Sequence, residues 1–174
     1  MHYNLLITTF RNRESDAYDE LYGLLDMLGD SEPSVEITSI SGIILASSNL
    51  DPILIVEKCR EIVRNEPWRF RYVLRVIPIE KICKAEIIEI HNVVKQLCRK
   101  ISQEQTYKVM IEKRHTKLHS KDIISTVTSD ISLKVKLNDP DWIILIQILN
   151  RLAGVSIIRS NQIFSSVKEK ISSQ

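Results

Sequence analysis

Thr106–Lys121, TYKVMIEKRHTKLHSK, is the stretch on which the reading of this chain turns. Tyr107, Val109 and Ile111 alternate with Lys108, Met110 and Glu112, the period of a half-buried strand. The stretch then runs into Lys113, Arg114, His115, Lys117, His119 and Lys121, a dense basic loop. Ser120 stands where a helix should begin, just ahead of Asp122, Ile123 and Ile124. A strand thus delivers positive charge to a helix N-terminus, where free backbone N–H groups and the dipole already favour an anion. Phosphate is the natural guest. The plain alternative is a solvated loop that happens to be basic.

The whole chain narrows the choice. Its 174 residues allow one domain or two small ones. An apolar fraction of 44% and a charged fraction of 26% are those of an ordinary globular protein. With 4 glycines, the chain has no glycine-rich phosphate loop. No apolar run reaches the roughly 20 residues of a membrane span. The opening MHYNLLITTFRNRE lacks the basic head and long apolar core of a secretory signal, so a cytoplasmic protein is expected. Cys59, Cys83 and Cys98 are odd in number and match no zinc or disulfide spacing, so they read as free thiols. Residues 1–65 hold 5 Lys/Arg against 11 Asp/Glu, and residues 66–174 hold 19 against 11. A front half at −6 and a back half at +8 suggest two modules, one of which meets a polyanion.

Along the front half, residues 3–10 read as a strand, and a helix capped by Ser15 follows over 16–28, ended by Gly29. Residues 35–40 and 43–47 form a hairpin about Ser41–Gly42. Asp51–Pro52 opens a second helix, and Pro67 stops it. Residues 69–77 then read as a strand. Its alternation sets Phe70, Tyr72, Leu74 and Val76 on one face and Arg69, Arg71 and Arg75 on the other. The order β-α-β-β-α-β is that of a ferredoxin-like module over 1–77. Three arginines on one strand face must see solvent or an anion.

Pro78 and a short basic junction with Lys81 and Lys84 mark the boundary to a second module, 78–174. Ile87, Ile90, Val94, Leu97 and Ile101 give one apolar stripe on a helix over 86–101. After the central strand and loop come a helix over 122–130, a short strand at 133–137 and a turn at Asn138–Asp141. Trp142–Leu149, WIILIQIL, is apolar enough to be a buried central strand. Val155–Ile158 is a last strand with Arg159 at its end, and 162–171 a closing helix or tail.

From about Pro78 onward the chain resembles a THUMP domain. The resemblance lies in the basic junction, the helix after it, the strand ending Lys113-Arg114 and the helix after Ser120. It continues through the Val-Lys-Leu strand before Asn138-Asp139-Pro140, the apolar strand Trp142–Leu149 and Gly154-Val155-Ser156. The front module resembles the ferredoxin-like domain that accompanies THUMP domains, so the expected fold is α+β in two parts. The chain is most similar to stand-alone THUMP proteins, such as the adaptor that helps an acetyltransferase make N4-acetylcytidine in tRNA. What the resemblance implies is a tRNA-binding role in tRNA modification and processing, gripping the acceptor stem and 3′ end while a separate enzyme does the chemistry. On this view the chain is not itself an enzyme, needs no cofactor and binds no membrane.

The implied RNA-binding residues are Arg69, Arg71 and Arg75 in the first module and Lys81 and Lys84 at the junction. Lys113, Arg114, Lys117, His119 and Lys121 follow in the loop, and Arg159 at the last strand. They would read an A-form stem by shape. Few aromatics look exposed, which favours duplex over single strand. Two other readings stay open. His115 and His119 suit general acid–base cleavage of RNA, and their spacing of four suits a metal only on a helix with a third ligand, so no metal is expected. Alternatively the basic face meets an acidic protein and no RNA.

Overall fold

The computed structural model describes residues 2–172. In chain order the elements are β1 (Leu5–Thr8), α1 (Glu14–Met27), β2 (Ser34–Ile37), β3 (Ile43–Ser47), α2 (Pro52–Asn65), β4 (Arg75–Pro78), β5 (Lys81–Lys84), α3 (Ile87–Leu97), β6 (Thr106–Arg114), α4 (Ser120–Thr128), β7 (Lys134–Val135), β8 (Trp142–Leu149), β9 (Leu152–Ile158), β10 (Phe164–Ser165) and α5 (Ser166–Ser172). They make two compact units. The first runs through Ile79 and resumes at Asn161; the second is Glu80–Ser160.

The first unit is an antiparallel sheet of order β10-β4-β1-β3-β2. Leaving aside β10, its other four members, 4-1-3-2, are the ferredoxin-like arrangement expected from the element order. Leu5 and Ile7 of β1 and Ile44 and Ala46 of β3 bury against Ala17, Leu21 and Leu25 of α1 and Ile55, Val56, Cys59 and Val63 of α2. Each of the Leu, Ile and Val side chains among them contributes roughly 1.5–3 kcal/mol by leaving water. Asp51 caps α2, its carboxylate accepting the Ile53 N–H at 2.7 Å, with Pro52 at the first helical position. α1 is different. It begins after Arg13, not at Ser15, and has no side-chain cap. Glu14 instead reaches the hairpin and accepts the Gly42 N–H at 2.6 Å, which lowers its pKa below the ordinary carboxylate value. Gly42 has φ +77°, and a Cβ there would lie 2.9 Å from the Thr9 carbonyl oxygen, so only glycine fits.

Two expectations about this unit need correction. The arginine-bearing strand starts at Arg75 instead of Arg69. Residues Pro67–Arg69 form a 3-10 turn, and the Glu20 carboxylate takes the N–H groups of Arg71, Tyr72 and Val73 at 2.9–3.2 Å. Backbone bonded to a side chain cannot also join a ladder, so the alternating face of Arg69, Arg71 and Arg75 does not form. The second concerns the C-terminal segment, assigned from sequence to the second module. Phe164 pairs with Val76 and Ser165 with Arg75, adding a fifth strand to the first sheet. The Phe164 ring, fully buried, meets Phe70 at 4.8 Å between centroids, and Glu169 of α5 bonds Arg60 of α2 at 2.7 Å.

The second unit has the order β5-β9-β8-β6-β7. β6 runs parallel to both β8 and β7, while β8–β9 and β9–β5 are antiparallel. β8 is central, and Ile143–Leu149 are all buried, as its composition suggests. Ile90 and Val94 of α3 and Ile123 and Val127 of α4 pack on the face formed by Tyr107, Ile144, Ile146, Ile148, Val155 and Ile157. The junction at 81–84 proves to be a strand, β5, on the sheet edge. No helix among the described residues is long and apolar enough to cross a membrane.

Candidate nucleic-acid interface

Strand register decides which basic residues share a neighbourhood. Arg114 is opposite Leu149 on β8, Leu149 opposite Leu152 on β9, and Leu152 opposite Lys84 on β5. Lys84 and Arg114 therefore occupy one row across four strands, roughly 14 Å apart at about 4.8 Å per strand. The β8–β9 turn sits between them. Asn150, at φ +54°, donates its N–H to Arg114 O at 3.0 Å, and Ala85 N–H donates to Arg151 O at 2.8 Å. This double stitch sets Arg151 at the centre of the row, exposed to solvent.

The loop from β6 to α4 widens this basic end. His115 takes the left-handed conformation, φ +56°, and turns the chain out of the sheet. Lys113 Nζ folds back onto the Leu118 carbonyl at 2.8 Å and fixes the loop. The helix cap is His119, with Ser120 the first helical residue, so Ser120 does not cap as expected. Lys117, His119 and Lys121 are exposed there. Cations at the positive end of a helix each cost roughly 0.3–1 kcal/mol. Asp122 is the only acid in that first turn. Positive charge gathered against the dipole, with little to neutralise it, is an electrostatic demand that a polyanion meets.

Arg114 stands apart. Its side chain is only 20% exposed; Nη1 donates to Gln147 Oε1 at 2.8 Å and Nη2 to Glu112 Oε2 at 3.0 Å. Gln147 is completely buried in β8, so Arg114 satisfies a buried acceptor as well as contributing charge. The remaining sequence candidates do not join the row. Lys81 lies three residues from Lys84 and bonds Gln96 of α3. Arg159 is at the far end of the sheet, roughly 23 Å away along β8 at about 3.3 Å per residue. There its guanidinium covers the Trp142 ring at 3.9 Å and bonds Asp141 O at 3.1 Å. Arg69, Arg71 and Arg75 belong to the first unit, where Arg69 pairs with Glu66. Arg151 is the residue that sequence reasoning missed. Its signal was Asn150, a residue suited to positive φ between two apolar strands.

Among the described residues no group of three His, Cys, Asp or Glu side chains could hold a metal. The cysteines are free thiols. Burial pushes the Cys59 thiol up to about 12 and those of Cys83 and Cys98 up to about 11, so all three stay protonated at neutral pH.

Residues 84–158, from the first cation of the row to the end of β9, match the THUMP domain family model. Over that stretch the chain is similar to a THUMP domain, an RNA-binding module. No curated protein matches the chain. Solved structures share the fold at low identity. PH1313 from Pyrococcus horikoshii Ot3 superposes with a TM-score of 0.63 at 14% identity, over 91% of this chain and 55% of that one. TrmN from Thermus thermophilus gives 0.60 at 12%, over 90% and 45%. A 4-thiouridine synthetase in complex with RNA and ATP gives 0.50 at 12%, over 91% and 42%. The chain spans about half the length of these proteins or somewhat less.

Proposed function

We propose that this chain is a tRNA-binding adaptor that holds the acceptor stem and presents it to a separate modifying enzyme, in the first instance a cytidine acetyltransferase. The observation that carries the reading is the basic end of the THUMP sheet. There Lys84, Arg151, Lys117 and Lys121 are exposed on a strand end, a turn, a loop and a helix start. Cations at that spacing suit the phosphates of an A-form stem, read through shape and 2′-hydroxyls. The chemistry is assigned to the partner, and this chain contributes binding and placement.

Affinity for unmodified tRNA and for an acceptor-stem minihelix, measured across a salt series, tests the first half. Four phosphate contacts predict that log affinity falls with log salt at a slope of roughly 3. Binding that ignores salt, or no binding at low salt, overturns the RNA reading and favours an acidic protein as the partner of this face. The second half is tested by adding the chain to a cytidine acetyltransferase and measuring N4-acetylcytidine in tRNA. Unchanged acetylation would remove that enzyme as partner and leave the RNA binding intact.

A further inference from the structure

Trp68 is the second residue of the Pro67–Arg69 turn and is 66% exposed. It is held there from both sides. Pro67 fixes the backbone before it, Glu66 and Arg69 close the turn by an ion pair, and Phe70, immediately after, is buried in the core with 1% exposure. Arg69 N–H to Glu66 O and Phe70 N–H to Pro67 O complete the bracing. The indole is therefore presented on a rigid mount. The other tryptophan, Trp142, is used structurally, with its Nε1 on Gln105 and its ring under Arg159.

The surroundings identify what the ring is for. Residues 60–75 hold five arginines, two glutamates and no lysine. Arg71 and Arg64 are exposed on either side of the turn in sequence, and Arg64 reaches its nearest acid, Glu169, only at 3.5 Å. Guanidinium groups suit phosphate through bidentate bonds, and an aromatic face among them suits a base. Inside a duplex every base is stacked on both faces, whereas an unpaired nucleotide offers both base and phosphate. The sequence-based expectation that few exposed aromatics favour duplex over single strand meets an exception at this turn.

We propose that Trp68 is a stacking platform for an unpaired nucleobase of the bound RNA, with Arg71 and Arg64 taking the flanking phosphates. The proposal rests on the RNA-binding reading above and assigns a residue of the first unit to an unpaired part of that RNA.

The test compares the full chain with Trp68→Ala and Trp68→Phe, using a labelled short oligoadenylate and a labelled blunt RNA duplex. Trp68→Ala is expected to weaken oligoadenylate binding by about 5- to 150-fold, the range for loss of one stacked base. Trp68→Phe should retain most of the affinity, and the blunt duplex should bind all three proteins alike. With Trp142→Phe leaving Trp68 as the sole indole, oligoadenylate should quench its fluorescence and the duplex should not. Unchanged oligoadenylate affinity in Trp68→Ala, while the wild type still binds RNA, overturns the platform and leaves the ring to a protein partner. A wild type that binds neither RNA overturns the underlying reading as well.

Discussion

The two units each carry a cationic cluster that looks similar in sequence, and they use it differently. In the first, Arg69 is tied to Glu66, Arg60 to Glu169, and Glu20 bonds the backbone beside Arg71. In the second, Lys84, Lys117, Lys121 and Arg151 project from a strand end, a loop, a helix start and a turn, two of them around the helix start and two in the row across the sheet. The first cluster has acids built into its own fold; in the second, Asp122 is the one acid in the first turn of α4, and Glu112 is taken up by Arg114. Formal charge in a sequence is thus a poor measure of charge on offer. What counts is whether the fold has already supplied the counterion.

Three variants sharpen that contrast. Lys117→Ala with Lys121→Ala removes two uncompensated cations. At 0.1 M salt it should lower tRNA affinity by about 25- to 60-fold and flatten the salt slope by roughly 1.4–1.8. Titration by fluorescence anisotropy checks both numbers, and a loss without a change of slope would mean the lysines act through structure. Arg114→Ala comes next. It strands the buried Gln147 acceptor, so about 1–3 kcal/mol of stability should go. Denaturant unfolding reads this, and an unchanged midpoint would return Arg114 to the purely electrostatic role suggested by its sequence position. Arg69→Ala should do least, shifting tRNA affinity by no more than about 2-fold, because its charge is already met by Glu66 at an exposed pair. A larger loss would erase the distinction between the two clusters.

Most of the architecture was legible because its period is local. The alternation of Tyr107, Val109 and Ile111, the stripe through Ile90 and Val94, and the apolar run Trp142–Leu149 each locate an element without outside help. Failures occurred where a distant residue decides. Glu20 takes the amides of Arg71–Val73 from 51 to 53 positions away and delays the strand to Arg75. β5, at four residues, is too short to show a period and exists because β9 pairs with it. β10 is shorter still and depends on the free edge of β4. The candidate site divides in the same way. The basic loop is visible in composition, but the anchoring of Arg114 by Gln147, 33 positions on, is not. Neither is the register that separates Arg159 from Lys84.

The return of the chain to the first sheet sets an order of assembly. Glu80–Ser160 contains every strand of the second sheet, whereas the first sheet lacks an edge strand until Phe164 and Ser165 have been made. In order of synthesis, every strand of the second sheet is made before the last strand of the first. The earlier half waits with Phe70 deprived of its ring partner. A polypeptide released at Ser160 would leave a finished THUMP fold attached to an unfinished neighbour. The module whose residues come first in the chain is therefore the last to have all of its strands synthesised.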